Sequence, residues 1–366
     1  MIVGCDNATI YGEGVQLHTS YSPSVATKTT VADALALVQP LLPSELMAPN
    51  CLSHAHKVAS LLPLDAVSFF GFETRLAEGQ NLSTDCALNL SASGAELMTS
   101  GNVGHGSDAW KKVTDFYRLW AQTHSDPFAD ASATWLEFDS NPQQPEPNLM
   151  FGYWPNEEKC DRPWQWMQDK LFPALFLGDY SEPLKKAVQT CYDALPASVG
   201  DFQFGLMLAR PIQAIRLCIF DLPTEEMIPY LRRIGWQGDF KSLEKYLEAF
   251  APYADFIGLH LDIAGPVLPH IGIEPNFKSG SWSRQPHREP RWHGLFDQLK
   301  RFDLMCDAKH KALLDWGGHQ QVQYGATAGL LLRGLSHTKV VLAPDGSAIA
   351  KAYFGIAHRD SEGSST

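Results

Sequence analysis

The sequence predicts an α+β protein: a ten-stranded antiparallel β-barrel surrounded by helices. Three observations carry this expectation. Strand-like alternation comes in adjacent pairs, five such pairs recur at intervals of roughly 60 residues, and amphipathic helical patterns fill the spaces between them. A repeated ββ-plus-α unit has two sheet faces to cover. Ten antiparallel strands cover them by closing, with helices packed outside and no edge left exposed.

The elements follow in order. Residues 1–60 form an N-terminal helical region, in which "VADALALVQPLLPSELM" and "CLSHAHKVASLL" have helical spacing; His54 and His56 are expected on its surface. The first hairpin pairs "AVSFFGFETRL" with "TDCALNLSA" through "AEGQNLS", a turn of suitable length and Gly/Asn content. The second pairs "TWLEFDS" with "NLMFGYW", the third "FQFGLMLAR" with "AIRLCIFDL", and the fourth joins "FIGLHLDI" and "VLPHIGIEPNF" across "AGP". The fifth pairs "HTKVVLAP" with "AIAKAYFGIA" through "DGS". Between hairpins, "SDAWKKVTDFYRLWAQTHSD" opens on a serine cap, and "SEPLKKAVQTCYDALP" has Ser181 as cap with Pro183 in its first turn. Further helical patterns are "RPWQWMQDKLFPALFLG", "PTEEMIPYLRRIGW", "DFKSLEKYLEAFAPY" and "WHGLFDQLKRFDLMCDAKHKALLDW". Residues 61–357 therefore read as one barrel domain, and 358–366 ("HRDSEGSST") as a flexible polar tail.

Composition narrows the function classes. The 366 residues carry a net charge of −12, which disfavours nucleic acid and anionic membrane as general partners. No run of 18 apolar residues and no signal-peptide pattern occurs, so membrane insertion is not expected and a cytoplasmic location is. The seven cysteines are scattered without a CxxC pair and read as reduced thiols rather than zinc ligands. No P-loop, GxGxxG, GxSxG or HExxH pattern is present, which argues against a nucleotide cofactor, a serine hydrolase and a zincin.

Taking the apolar phase of each strand as outward assigns the lumen. The inward set is Glu73 and Arg75; Trp135, Glu137, Asp139 and Trp154; Arg216; His260, Asp262, His270 and Glu274; and His337, Lys339, Lys351 and Tyr353. Burying so many charges is costly unless they pair or meet a ligand. An internal network of ion pairs would satisfy some of them, but a ten-stranded barrel is too wide for side chains alone to fill. Glu137-x-Asp139 and His260-x-Asp262 each place two potential ligands on one strand face, so Glu137, Asp139 and Asp262 are candidates for a divalent ion such as Mg²⁺. The basic, Pro-rich loop "SRQPHREPRWHG" (283–294) is a candidate lid.

Five consecutive α-β-β-α units, with the Lys-x-Tyr of "AKAYFG" (Lys351, Tyr353), resemble the PT-barrel of the ABBA aromatic prenyltransferases over roughly residues 60–357. The resemblance implies an isoprenoid diphosphate and a small-molecule or peptide-borne acceptor, aromatic, amine or guanidine, meeting in the lumen. On that basis Arg75, Arg216, Lys339, Lys351 and the Tyr353 hydroxyl hold the diphosphate, while Trp135, Trp154 and Tyr353 shield an allyl cation. Glu274 or Glu137 takes the acceptor's proton. Carboxylates outnumber the permanent cations on this surface, which leaves two alternatives open: a barrel whose His260, Asp262 and Glu274 do acid–base or metal-assisted chemistry on an amino acid or peptide, and a non-catalytic ligand-binding barrel. Penteins share a fivefold ββ-α layout, but their signature requires a nucleophilic cysteine near the C-terminus, and none follows Cys306.

Overall fold

The computed structural model of the protein describes residues 29–79, 84–122, 134–140, 144–152, 163–176, 180–197, 199, 202–210, 212, 214–280, 284–324 and 327–360. Eleven strands appear among them: β1 Val67–Arg75, β2 Thr84–Leu90, β3 Thr134–Phe138, β4 Pro147–Gly152, β5 Phe202–Leu206, β6 Ile215–Ile219, β7 Phe256–Ile263, β8 Val267–Asn276, β9 Gly318–Tyr324, β10 Thr327–Leu342 and β11 Ala348–Asp360. Ten of them form a closed antiparallel barrel. The ring runs from β11 through β1 to β8 and on to β10, and pairing of β10 with β11 completes it.

The strands owe their stability to the outward phase. In β6 and β7 the outward residues Ile215, Leu217, Ile219, Ile257, Leu259, Leu261 and Ile263 are all 0–1% exposed. Each such side chain contributes on the order of 1.5–3 kcal/mol of transfer free energy. Helices supply the opposing surface: Trp110, Phe116 and Trp120 of Asp108–Ala121 pack beneath Phe138 and Phe151, and Trp316 of Asp307–Trp316 meets Phe354 edge-on. Ser107 and Ser181 cap their helices through Trp110 N and Leu184 N.

Several sequence expectations need correction. A short helix, Ala92–Thr99, lies between β2 and the Ser107-capped helix, where the sequence reading left a connection. The pattern after the fourth hairpin is two helices, Arg291–Arg301 and Asp307–Trp316, separated at Asp303, whose φ of 58° is tolerated by an Asp. The fifth hairpin is longer than expected. The first half of β10 pairs with β9 and with the end of β11, so three strands project beyond the ring. His358 to Asp360, assigned to the tail, are therefore paired in β11; residues 361–366 lie outside the described ones. His54 is buried at 7% exposure against the Phe138 carbonyl, because its helix packs on β2 and β3 rather than facing water.

A bulge in β10 between Leu335 and His337 marks where the ring strand becomes the extension. The buried Gln285 amide satisfies both backbone groups of Leu335 there: Nε2 donates to its carbonyl at 2.9 Å and Oε1 accepts from its N–H at 2.8 Å. The loop expected to act as a lid is thus anchored to the barrel wall at Gln285, while 281–283 are outside the described residues.

Candidate functional site

The lumen is a cavity of about 660 Å³. Glu73, Trp135, Glu137, Asp139, Arg216, His260, Asp262, His270, Glu274, His337, Lys339, Lys351 and Tyr353 all line it. Arg75 does not, although it ends β1 in register with the lining residue Lys351. Trp154 lies outside the described residues.

Other lining residues escaped the sequence reading. Asp85 and Asn89 share the inward phase of "TDCALNL", a signal that was legible. Phe69 was hidden by the Phe-Phe pair and the irregular register beside it. Phe220 and Arg210 lie past strand ends, Arg284 in the loop before helix Arg291–Arg301, and Arg359 on the extension, where alternation ceases to report.

The register gives the lumen two halves. Glu73, Asp85, Glu137, Asp139, Arg216, Asp262, His270, Lys339 and Lys351 cluster toward the end of β1, while Phe69, Trp135, Phe220 and Phe256 lie toward its start. Phe69 and Trp135 meet edge to face at 5.9 Å. Glu274, His337 and Tyr353 stand at the boundary.

Most of the charges are paired. Arg216 chelates Asp262, Nε to Oδ1 at 2.7 Å and Nη2 to Oδ2 at 2.9 Å, directly across β6 and β7. His270 Nε2 adds a contact to Asp262 at 3.0 Å. Burial opposes the Asp262 charge, but His270 and Arg216 hold its carboxyl well below the ordinary carboxylate range. Arg210 grips Asp139 in the same bidentate way. Lys351 and the Tyr353 hydroxyl both donate to Glu73; burial is outweighed by Lys351 and Lys339, and the Glu73 carboxyl falls to about 2.

Lys339 stands apart. It is 9% exposed, lies opposite Lys351 across β10 and β11, and has its ammonium 5.1 Å from the Tyr353 ring centre, with no hydrogen bond or ion pair among the described residues. Gly272 makes room for its stem: a Cβ at 272 would sit 3.1 Å from Lys339 Cδ.

Glu274 is 5% exposed. Its Oε1 accepts from Asn276 at 3.0 Å, while Oε2 lies 2.8 Å from His260 Nε2 and 3.6 Å from His337 Nε2. Burial raises its pKa, but His337, His260 and Lys339 outweigh that and keep it ionised. Burial and Lys339 push His260 down to about 4, and burial does the same to His337.

Asp85 behaves oppositely. Burial, with Glu73 directly across the strands, raises it to about 6. A carboxyl that binds its proton more tightly when folded loses stability as pH rises from about 4 to about 6. Asp85→Asn is therefore expected to stabilise the protein at pH 7 by roughly 1–3 kcal/mol, with the gain vanishing below pH 4 in urea titrations.

The residues offered for Mg²⁺ are differently engaged. Asp139 and Asp262 each chelate an arginine, and among the described residues no three His, Cys, Asp or Glu side chains converge as ligands. They do not fit a metal centre as arranged.

No protein-family model matches the sequence, and no curated protein is significantly similar to it. Solved structures do match. AnaPT from Neosartorya fischeri aligns with a TM-score of 0.51 and 12% identity, covering 88% of this chain and 97% of that one. The fold is a PT-barrel. A binary complex of PriB with product diphosphate also matches, with a TM-score of 0.46 and 11% identity over 78% of this chain and 79% of that one. In this PT-barrel, six carboxylates and six Lys or Arg side chains line the described lumen, so it carries no surplus of positive charge for a polyanion. Among the described residues no helix is long and apolar enough to cross a membrane.

Proposed function

We propose that this PT-barrel transfers an isoprenoid group from its diphosphate to an acceptor held in the same lumen. The structural neighbours are aromatic prenyltransferases, which supports a transferase at the level of fold. The observation that carries the proposal in this chain is Lys339, a nine-tenths buried cation aimed into the cavity without a bound anion of its own. Such a charge is expensive unless a ligand completes it. Lys351 and Tyr353 lie beside it, and a diphosphate that displaces Glu73 would gain both. Arg216 is not available for this work while it holds Asp262.

The isoprenoid chain then lies along Phe69, Trp135, Phe220 and Phe256, whose ring faces suit a developing allyl cation. The C1–O bond breaks with its electron pair leaving on diphosphate, and the acceptor atom bonds to C1. Its proton passes to Glu274, which stands ionised at the boundary of the two halves. Glu137 and Asp85 make no ion pair among the described residues and stand on β3 and β2 on the charged side of Trp135, which favours an aromatic acceptor bearing an amine or guanidine.

The test is mass spectrometry of aromatic amines, indoles, phenols and peptides incubated with dimethylallyl, geranyl or farnesyl diphosphate. Absence of product together with absence of diphosphate binding, with and without Mg²⁺, would refute the proposal. Lys339→Met is expected to weaken diphosphate binding by about 10- to 100-fold in calorimetry, the loss of one charge-assisted contact.

A further inference from the structure

Cys218, His260, Glu274 and His337 stand on β6, β7, β8 and β10, successive strands of the ring, and make one chain of contacts. Cys218 Sγ is 3.0 Å from His260 Nδ1, His260 Nε2 is 2.8 Å from Glu274 Oε2, and the same oxygen is 3.6 Å from His337 Nε2. His337 Nδ1 is in turn 3.0 Å from Ser336 Oγ, at the bulge that opens toward the strand extension. The His337 ring is stacked on Tyr353 at 4.1 Å, which fixes its plane.

The two histidines are not equivalent. Burial keeps the Cys218 thiol protonated, so it has a proton to give to His260 Nδ1. That leaves the His260 proton on Nε2, the nitrogen 2.8 Å from Glu274 Oε2, and His260 has no free lone pair for a proton arriving there. His337 has the opposite possibility: with Nδ1–H donating to Ser336 Oγ, its Nε2 lone pair faces the carboxylate. The 3.6 Å gap closes when the carboxyl carries a proton to share, as contacts in an empty site commonly tighten in the reacting complex.

Resting on the prenyl-transfer proposal, we infer that His337 is a positioning residue that carries the acceptor's proton from Glu274 toward Ser336, while His260, set by Cys218, holds the carboxylate from its other side. The charged and titratable groups facing the pair are Arg216 and Cys218 on β6, Glu274 on β8, Lys339 on β10, Tyr353 on β11, and Arg284 from the loop before helix Arg291–Arg301. No oxidant or cofactor enters the step: as His337 Nε2 takes the proton from Glu274, Nδ1 gives its own to Ser336 Oγ, so one proton leaves the acceptor and one is released beyond Ser336.

Two measurements test it. Imidazole ¹⁵N NMR of the free protein, assigned with His260→Gln and His337→Gln, should show Nε2–H at His260 and Nδ1–H at His337, and Glu274→Gln should lower both titration midpoints. The same Nε2–H tautomer at both rings, or midpoints unmoved by Glu274→Gln, would overturn the inference without any assay of turnover. In steady-state kinetics His337→Gln should lower kcat at least tenfold with both KM values within twofold and remove one ionisation from the acid limb of the kcat profile; Ser336→Ala should lower kcat about threefold. An unchanged kcat and pH profile in both variants would also overturn it. If His337→Gln does not fold, Ser336→Ala and the wild-type tautomers still decide. Wild-type protein that shows the two tautomers but makes no prenyl product would refute the assigned reaction and leave the coupled cluster standing.

Discussion

Glu274→Gln should leave diphosphate and acceptor bound and lower turnover by about 10²- to 10⁴-fold, the usual worth of a positioned general base. The amide has nearly the same shape and can still meet Asn276 and His260, so the pocket survives. What it lacks is a place for the proton. Single-turnover kinetics beside equilibrium binding of each substrate separates the two effects. Retained turnover would remove Glu274 as base and turn attention to Glu137. Because the folded Glu274 carboxyl lies well below its ordinary range, mild acid does not switch it off directly. The histidines beside it, both near 4, are expected to protonate first on acidification from neutral pH. Their folded values lie below 6.5, so they bind fewer protons when folded. Stability is lost as pH falls from about 6.5 to about 4.

The second large effect is structural. Arg216→Ala leaves the Asp262 carboxylate 7% exposed without its bidentate partner, and breaking a buried pair in this way costs about 3–5 kcal/mol. Urea unfolding should show that loss as a shift in midpoint at nearly constant slope. Arg216→Met with Asp262→Leu should recover much of it, since a matched apolar pair leaves no orphaned charge. A single variant as stable as wild type would mean that His270 alone suffices for Asp262. In the wild-type protein the folded Asp262 pKa is depressed, so its contribution is present above the unfolded value of 3.8 and lost as pH falls below it. Arg216, expected from the sequence to hold diphosphate, is here engaged by Asp262 across the strand.

The inward phase of "LHLDI", "HIGIE", "LEFDS" and "AKAYF" was legible because alternation has a period of two and each strand has one strongly apolar face. It failed where that contrast weakens. Phe69 lies in a run apolar on both faces, and Arg75, at the last position of β1, keeps the inward phase without lining the cavity. Strand β9 was missed because "GHQQVQY" is polar on both faces, as a strand beyond the ring with little to bury can be.

By itself the sequence determined which side of each central strand is polar, that five hairpins recur, and hence that a closed barrel with a charged lumen results; period-two alternation and the need to cover two faces suffice for that. Only the tertiary structure decided which charges cancel. Arg216 and Asp262 are 46 residues apart, Lys351 and Glu73 are 278 apart, and no local pattern foretells that these meet while Lys339 is left with a ring for company. Pairing across a barrel depends on register and on closure between the first and last strands. Those are properties of the whole ring, and they turn a list of inward residues into a site with the buried Lys339 ammonium, a carboxylate between two histidines, and an aromatic wall beside both.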